Sequence, residues 1–289
     1  MTQIPVAQIL GNTDYFEIDS AAVGGRFGIW VTTSPNYADD EERYPALYVT
    51  DGNFSVGQTA PLAVMQSDVL LPIAPYLQVT VGYTGAEADD WSRVRNRDLV
   101  PPGEPLPPDM RSTLDLAVER GAMTQAEVDA YLAELATARA DAFLTFLTDE
   151  LHAEVCRRYR VAPTGHGLFG YSYGGLFTLY ALLSGASLFS KYGAGSPGVA
   201  SFDSTVLKLA DAQPDLSGTR LHVTLNDVEL TGQLPIYRML GRGSAQLIDS
   251  LRASETGVTL TAAVLKETHA TGLQASFLSF MRACYGATS

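Results

Sequence analysis

The segment Gly170-Tyr171-Ser172-Tyr173-Gly174-Gly175 constrains this chain more than any other, because it sets a G-x-S-x-G between two apolar runs. Gly167-Leu168-Phe169 ends a short strand-like run before it, and Leu176-Phe177-Thr178-Leu179-Tyr180-Ala181-Leu182-Leu183 reads as a buried helix after it. Strand, sharp turn and helix form the setting in which a serine hydroxyl is presented at the end of a sheet as a nucleophile. A side chain at 170 or 174 would collide with the neighbouring strand or helix, and glycine removes the clash. Ser172 is therefore the candidate nucleophile.

The rest of the chain supplies a sheet for such a turn to crown. Phe16 and Ile18 alternate with Glu17 and Asp19, and Phe27, Ile29 and Val31 alternate with Gly28, Trp30 and Thr32, the period of two of half-buried strands. With a turn over 22–25 they predict an antiparallel hairpin at a sheet edge. Apolar strands follow at 46–49, 77–81, 167–169, 192–194, 221–225 and 258–265, separated by helices near 57–70, 110–120, 124–160, 174–184, 203–212, 234–254 and 271–284. Alternating strands and helices imply right-handed crossovers and a mostly parallel sheet, an α/β class with helices on both faces. Thr124-Gln125-Ala126-Glu127 is a capping-box pattern that starts a helix at Gln125. Phe143, Leu147, Leu151, Val155 and Tyr159 form one apolar stripe for docking on the sheet.

One stretch breaks this rhythm. The prolines of 101–108 exclude strand or helix interior, and the helical sequence after them is too long for a simple crossover. The expectation is one domain over 1–289 with an insertion at about 101–139, either a lid over the site or an outer decoration.

Composition limits the partners. With 289 residues and 46% hydrophobic content the chain can bury one large core, and its formal charge of −13 repels nucleic acid and anionic membrane surfaces. Cys156 and Cys284 are too few and too far apart to hold a metal and are expected to be reduced. Met1-Thr2-Gln3-Ile4-Pro5-Val6 lacks a basic region followed by an apolar core, and no apolar run approaches a membrane span, so a cytoplasmic protein is expected. The sequence leaves monomer and homodimer open.

A serine hydroxyl attacks only when a base takes its proton, and the base needs a carboxylate to orient it. Four histidines are available. His166 lies six residues before Ser172 on one strand, roughly 20 Å away at a strand rise of about 3.3 Å. His222 begins its own strand and lies toward the same far edge, and His152 sits in the long helix, where it is expected to face solvent. His269 remains, in the polar loop Lys266-Glu267-Thr268-His269-Ala270-Thr271-Gly272 after the last strand. The preceding strand ends in Asn226-Asp227-Val228-Glu229, which offers two carboxylates in the order serine, acid, histidine. An oxyanion hole needs two backbone N–H groups. Tyr173, directly after the nucleophile, supplies one, and Asn53 in the loop Thr50-Asp51-Gly52-Asn53-Phe54 is the choice for the other.

Together these segments resemble the putative-esterase branch of the α/β-hydrolases, which includes esterase D, enterochelin esterase and the trilactone-siderophore hydrolases. The resemblance runs over nearly the whole chain: 20–35 as the opening hairpin, 47–54 as the strand ending in D-G-[QN], Arg97-Asp98-Leu99-Val100-Pro101 as the R-x-D-x-x-P region, and also 143–151, 170–180 and Gly195-Ser196-Pro197. It implies a serine ester hydrolase working through an acyl-enzyme without metal or organic cofactor. The family's acid is commonly the glutamate of a G-x-x-E segment, which favours Glu229; Asp227 stays as the alternative, because Asn226 stands where the family has glycine. A small-molecule ester is the expected partner, of siderophore type or otherwise bulky, with Phe54, Tyr171 and Arg97 as candidate substrate contacts. Acyl transfer on the same residues and a non-catalytic binding module are the rival readings.

Overall fold

Two strands, β1 (Thr13–Ser20) and β2 (Gly25–Thr32), open the fold as an antiparallel hairpin, and the chain between them turns through Gly24 at a φ of 70°. In the computed structural model, which describes residues 10–70, 72–200 and 202–286, six further strands complete one sheet. They are β3 (Ala46–Val49), β4 (Leu77–Tyr83), β5 (His166–Tyr171), β6 (Phe189–Gly195), β7 (Arg220–Asn226) and β8 (Thr259–Leu265). The order is β1-β2-β4-β3-β5-β6-β7-β8. β2 pairs antiparallel with β4, and every neighbouring pair from β4 to β8 is parallel. The expected mostly parallel sheet with an N-terminal edge hairpin is what the chain builds. The segment Met1 to Val6, read above for a leader, lies outside the described residues.

Position in the sheet explains the composition of the strands. β1, at the edge, alternates half-buried and exposed residues from Tyr15 to Asp19, whereas β3, β4 and β5 are buried at every position because helices cover both their faces. Side chains of a strand alternate between faces, and β3 divides its four accordingly. Ala46 and Tyr48 join the larger core, beneath the helix Tyr173–Leu183 and the continuous helical stretch 140–158. Leu47 and Val49 join a second core with Phe169, Phe277 and Phe280, beneath the helix Gly272–Tyr285. Phe277 and Phe280 are fully buried, and truncating either to alanine would cost about 3–5 kcal/mol.

Several elements differ from the sequence reading. The helix placed at 57–70 begins at Gly52, directly after the Asp51-Gly52 turn, and tightens into a 3₁₀ stretch over Ala60–Ser67. Helices Ala86–Asp89, Trp91–Leu99 and Val228–Thr231 were not anticipated. The helix expected over 124–160 is two, Gln125–Ala136 and the stretch 140–158. The break falls where the Arg139 and Ala140 N–H groups bond outward to the carbonyls of Arg97 and Val100, at 2.7 and 3.2 Å, and so leave the helical ladder. His152 does not face solvent: its Nδ1 lies 2.7 Å from the Tyr48 hydroxyl and its ring packs edge-on against His166. Both cysteines are free, Cys156 exposed and Cys284 buried. Among the described residues no helix is long and apolar enough to cross a membrane.

Candidate active site

β5 runs into the helix Tyr173–Leu183 through a single residue, Ser172, with φ 58° and ψ −117°. A side-chain-bearing residue held at positive φ is strained, and here neighbours on both sides fix it. The Ser172 N–H donates to the Gly195 carbonyl at 2.9 Å, and its carbonyl accepts from Gly198 and Leu176, each at 2.9 Å. A Cβ at Gly170 would overlap the Gly174 carbonyl, and one at Gly174 would overlap Thr50 Oγ1, so the turn closes only with glycine at both. The clash anticipated from sequence is real, with the added detail that position 174 meets the loop after β3.

The loops after β7 and β8 bring the two partners. Glu229 lies in the short helix after β7, and His269 in the loop after β8. His269 Nε2 is 3.1 Å from Ser172 Oγ, and its Nδ1 is 3.0 Å from Glu229 Oε1. With Nδ1 protonated toward the carboxylate, Nε2 is the acceptor for the serine proton. Burial alone would push the Glu229 carboxyl up, but hydrogen bonds with His269, Ser196 and the Asn226 amide and N–H outweigh it and hold the group below the ordinary carboxylate range. Asp227 caps the short helix with its main-chain carbonyl, which accepts from Leu230 and Thr231. The histidine is thus set against Glu229.

A second ring of groups holds this arrangement. Ser196, at φ 40°, hydrogen-bonds Glu229 Oε1 and lies 3.0 Å from His269 Nδ1. The Tyr171 hydroxyl donates to the His269 carbonyl at 2.9 Å and accepts from the Asn226 amide at 2.7 Å. Tyr237 stacks on the imidazole with ring centroids 5.3 Å apart. Ser196 and Tyr237 were not given roles from sequence; Ser196 lies in the quoted Gly195-Ser196-Pro197, but nothing local marks it as a partner of Glu229. Asn226, noted as a departure from glycine, holds Glu229 with both its side chain and its N–H.

Tyr173 and Asn53 occupy the first two positions of helices Tyr173–Leu183 and Gly52–Thr59, where backbone N–H groups have no acceptor within the helix. The Asn53 side chain is spent on β4, accepting from the Tyr83 N–H at 2.7 Å and donating to the Tyr83 carbonyl at 3.0 Å; Tyr173 lines a cavity at Ser172, whereas Asn53 lines none there, although its neighbours Asp51 and Phe54 do.

Two cavities meet at Ser172 and His269. The larger, about 320 Å³, lies beneath the segment 101–139, whose Leu106, Met110, Tyr131 and Leu135 form part of its wall. The smaller, about 190 Å³, is bounded by Phe54, Trp91, Tyr171 and Leu273, with Phe54 and Trp91 stacked at 5.7 Å. Phe54 and Tyr171 therefore lie at the site. Arg97 does not: it lines neither cavity, and its guanidinium pairs with Asp98 and Glu87, each at 2.8 Å. The arginine at the site is Arg95, which lines both cavities and forms two bonds to Asp51, at 2.5 and 2.8 Å, and one to the Tyr171 carbonyl at 3.1 Å. Successive residues of a helix are about 100° apart, so two arginines two residues apart point to opposite sides of Trp91–Leu99. Among the described residues no group of three or more His, Cys, Asp or Glu is placed to hold a metal ion.

Comparison with known proteins bears on this geometry. The profile of the family described as "Putative esterase" matches residues 116–281. Ferri-bacillibactin esterase BesA of Bacillus subtilis (strain 168) is 29% identical over 174 residues, which are 58% of this chain and 52% of that protein, so the match spans about half the length of this curated relative. Among solved structures, the siderophore hydrolase EstB from Aspergillus nidulans superposes with a TM-score of 0.73 at 21% identity, covering 99% of this chain and 98% of that one. An IroE-like serine hydrolase from Shewanella oneidensis superposes with a TM-score of 0.72 at 21% identity, over 94% and 80% of the two chains. The sheet is that of the α/β-hydrolase fold, and the chain belongs to the "Putative esterase" family.

Proposed function

We propose that this protein is a serine carboxylic-ester hydrolase in which Ser172, His269 and Glu229 act as a triad. The observation that carries the reading is the continuous relay from Ser172 Oγ through His269 to a fully buried Glu229, at 3.1 and 3.0 Å. Ser172 Oγ attacks the ester carbonyl while His269 Nε2 takes its proton, and Glu229 stabilises the imidazolium that forms. The N–H groups of Tyr173 and Asn53 receive the oxyanion. His269 returns the proton to the departing alcohol, leaving an acyl-serine. Water, deprotonated by the same imidazole, then releases the acid.

The names of the relatives, a ferri-bacillibactin esterase and a siderophore hydrolase, support a bulky siderophore-type ester as substrate. The cavity beneath 101–139 opens at Ser172 and His269, and we assign this segment the role of a lid over it. The test is a panel of esters that includes cyclic and linear siderophore esters, with products followed by mass. Ser172→Ala should lower turnover by several orders of magnitude, and a phosphonate should add its mass to the peptide carrying Ser172. Labelling of another serine would overturn the assignment. An added alcohol that outcompetes water for the acyl group would make the protein an acyltransferase.

A further inference from the structure

The wall of the cavity beneath 101–139 is largely apolar and aromatic, with Leu106, Met110, Ile236 and Leu240 beside Tyr131 and Tyr173. Apart from His269, two residues of that wall carry a charged group, Arg95 and Glu104. The charge of Arg95 is matched, because its guanidinium forms two bonds to Asp51. That of Glu104 is not. Glu104 is half-buried, its Oε2 accepts from the Thr205 N–H at 2.8 Å, and among the described residues it forms no ion pair with Lys, Arg or His. Its Oε1 makes no hydrogen bond there, yet it is not one of the polar atoms sealed from the surface, so it stays open to a partner. Burial and the adjacent Tyr131 push the Tyr173 phenol up, and the charge of Glu104 adds to that push, which sets the carboxylate near the residue after the nucleophile.

A carboxylate drawn out of water without a counter-ion loses hydration and gains no opposite charge. Burial accordingly raises the Glu104 carboxyl above the ordinary 4.5, and the Ser204 hydroxyl, the Thr205 N–H and hydroxyl and the field of Lys208 offset only part of that. A glutamine would keep the bond from Thr205 without the cost. Glu104 lines a cavity that also reaches Ser172, so a bound substrate is placed to supply the missing cation. A primary ammonium carries three donors and no acceptor, which suits a carboxylate oxygen that has one bond to gain. Aromatic rings in the same wall favour a cation over an anion. A hydroxyl would satisfy the bond and leave the charge unmatched, while an anion would meet both Glu104 and the field of a chain with net charge −13.

We propose that Glu104 is a specificity-determining residue of this cavity and that its carboxylate binds a primary ammonium on the half of the ester that enters beneath 101–139. The proposal rests on Ser172 being the ester nucleophile. It makes amine-bearing esters, rather than plain alkyl or aryl esters, the preferred substrate class.

The test uses pairs of esters matched in size, one ending in a primary ammonium and the other in a methyl group, with the spacer to the ester lengthened by one methylene at a time. One series varies the acyl half and a second the alcohol half, with products followed by mass, so the preference is read whichever half enters. For the wild-type protein at neutral pH, kcat/KM for the ammonium ester should exceed that for its methyl partner by about 10- to 100-fold at the best spacer length in one series. In Glu104→Gln, which keeps the length of the side chain and an acceptor for the Thr205 N–H, that ratio should fall to about one. A wild-type ratio at or below one for every spacer in both series overturns the proposal without any variant, and so does a ratio that survives Glu104→Gln. Cleavage of both members of each pair without preference refutes the role of Glu104 alone. Failure to cleave any ester, with no phosphonate label on Ser172, refutes the hydrolase reading and this one with it.

Discussion

The hydroxyl of Tyr171, the residue before the nucleophile, donates to the main-chain carbonyl of His269 at 2.9 Å. The strand that presents the serine therefore also pins the loop that presents the base. The same hydroxyl accepts from Asn226, which holds Glu229, so one phenol ties together the three loops carrying the proposed triad.

Tyr171→Phe keeps the ring and removes this tie. Losing one such bond costs about 1 kcal/mol, so kcat on a small chromogenic ester should fall about fivefold with KM near the wild-type value. Steady-state kinetics decide the matter. A raised KM with unchanged kcat would instead make the Tyr171 hydroxyl a substrate contact, the role expected of it from sequence.

Glu229 and Asp227 should separate sharply. Glu229→Gln cannot stabilise the imidazolium and should lower kcat about 10³- to 10⁴-fold, whereas Asp227→Asn, whose helix-capping group is a main-chain carbonyl, should stay within about twofold. The reverse ranking would transfer the role to Asp227.

The depressed carboxyl of Glu229 also predicts a pH dependence of stability. Its folded pKa lies below the ordinary 4.5, so the folded state favours the ionised form, and the resulting stabilisation is present above about pH 4.5. It is lost as the pH falls through the folded value. Glu229→Gln lacks this contribution, so the gap in Tm between wild type and variant should be widest near neutrality and narrow on acidification. A gap that is constant with pH would show that Glu229 stabilises the fold by packing rather than by its charge.

Much of this site was legible because the chemistry imposes local constraints. The glycines at 170 and 174, the apolar runs around Ser172 and the scarcity of histidines leave Ser172 and His269 as the natural pair. The Asn226 to Glu229 segment then narrows the acid to two. Sequence does not separate Arg95 from Arg97, because Trp91–Leu99 has no apolar stripe to announce a helix. Its buried positions include Asn96 and Asp98 alongside Val94 and Leu99, and Asp98 is buried because Arg97 and Arg139 surround it. Without the helix, the opposite directions of Arg95 and Arg97 could not be read. Ser196 and Tyr237 lie 73 and 32 residues from His269, and only the tertiary fold brings them to it.

The segment 101–139 offers a further test. It places Leu106, Met110, Tyr131 and Leu135 on the wall of the larger cavity, and the Tyr131 hydroxyl bonds that of Tyr173, the residue after the nucleophile. None of Ser172, His269 and Glu229 lies within it. Shortening the chain between Glu104 and Leu135 should therefore open the cavity, leave acetyl esters cleavable and change the ranking among bulky esters, because selectivity for a large group depends on the wall it fills. Circular dichroism would establish that the shortened protein is folded, and kcat/KM across the ester panel would give the ranking. An unchanged ranking in a folded variant would make 101–139 a decoration rather than a lid. A changed ranking would show that the insertion, which interrupts the alternation of strands and helices, is where this chain sets its choice of ester.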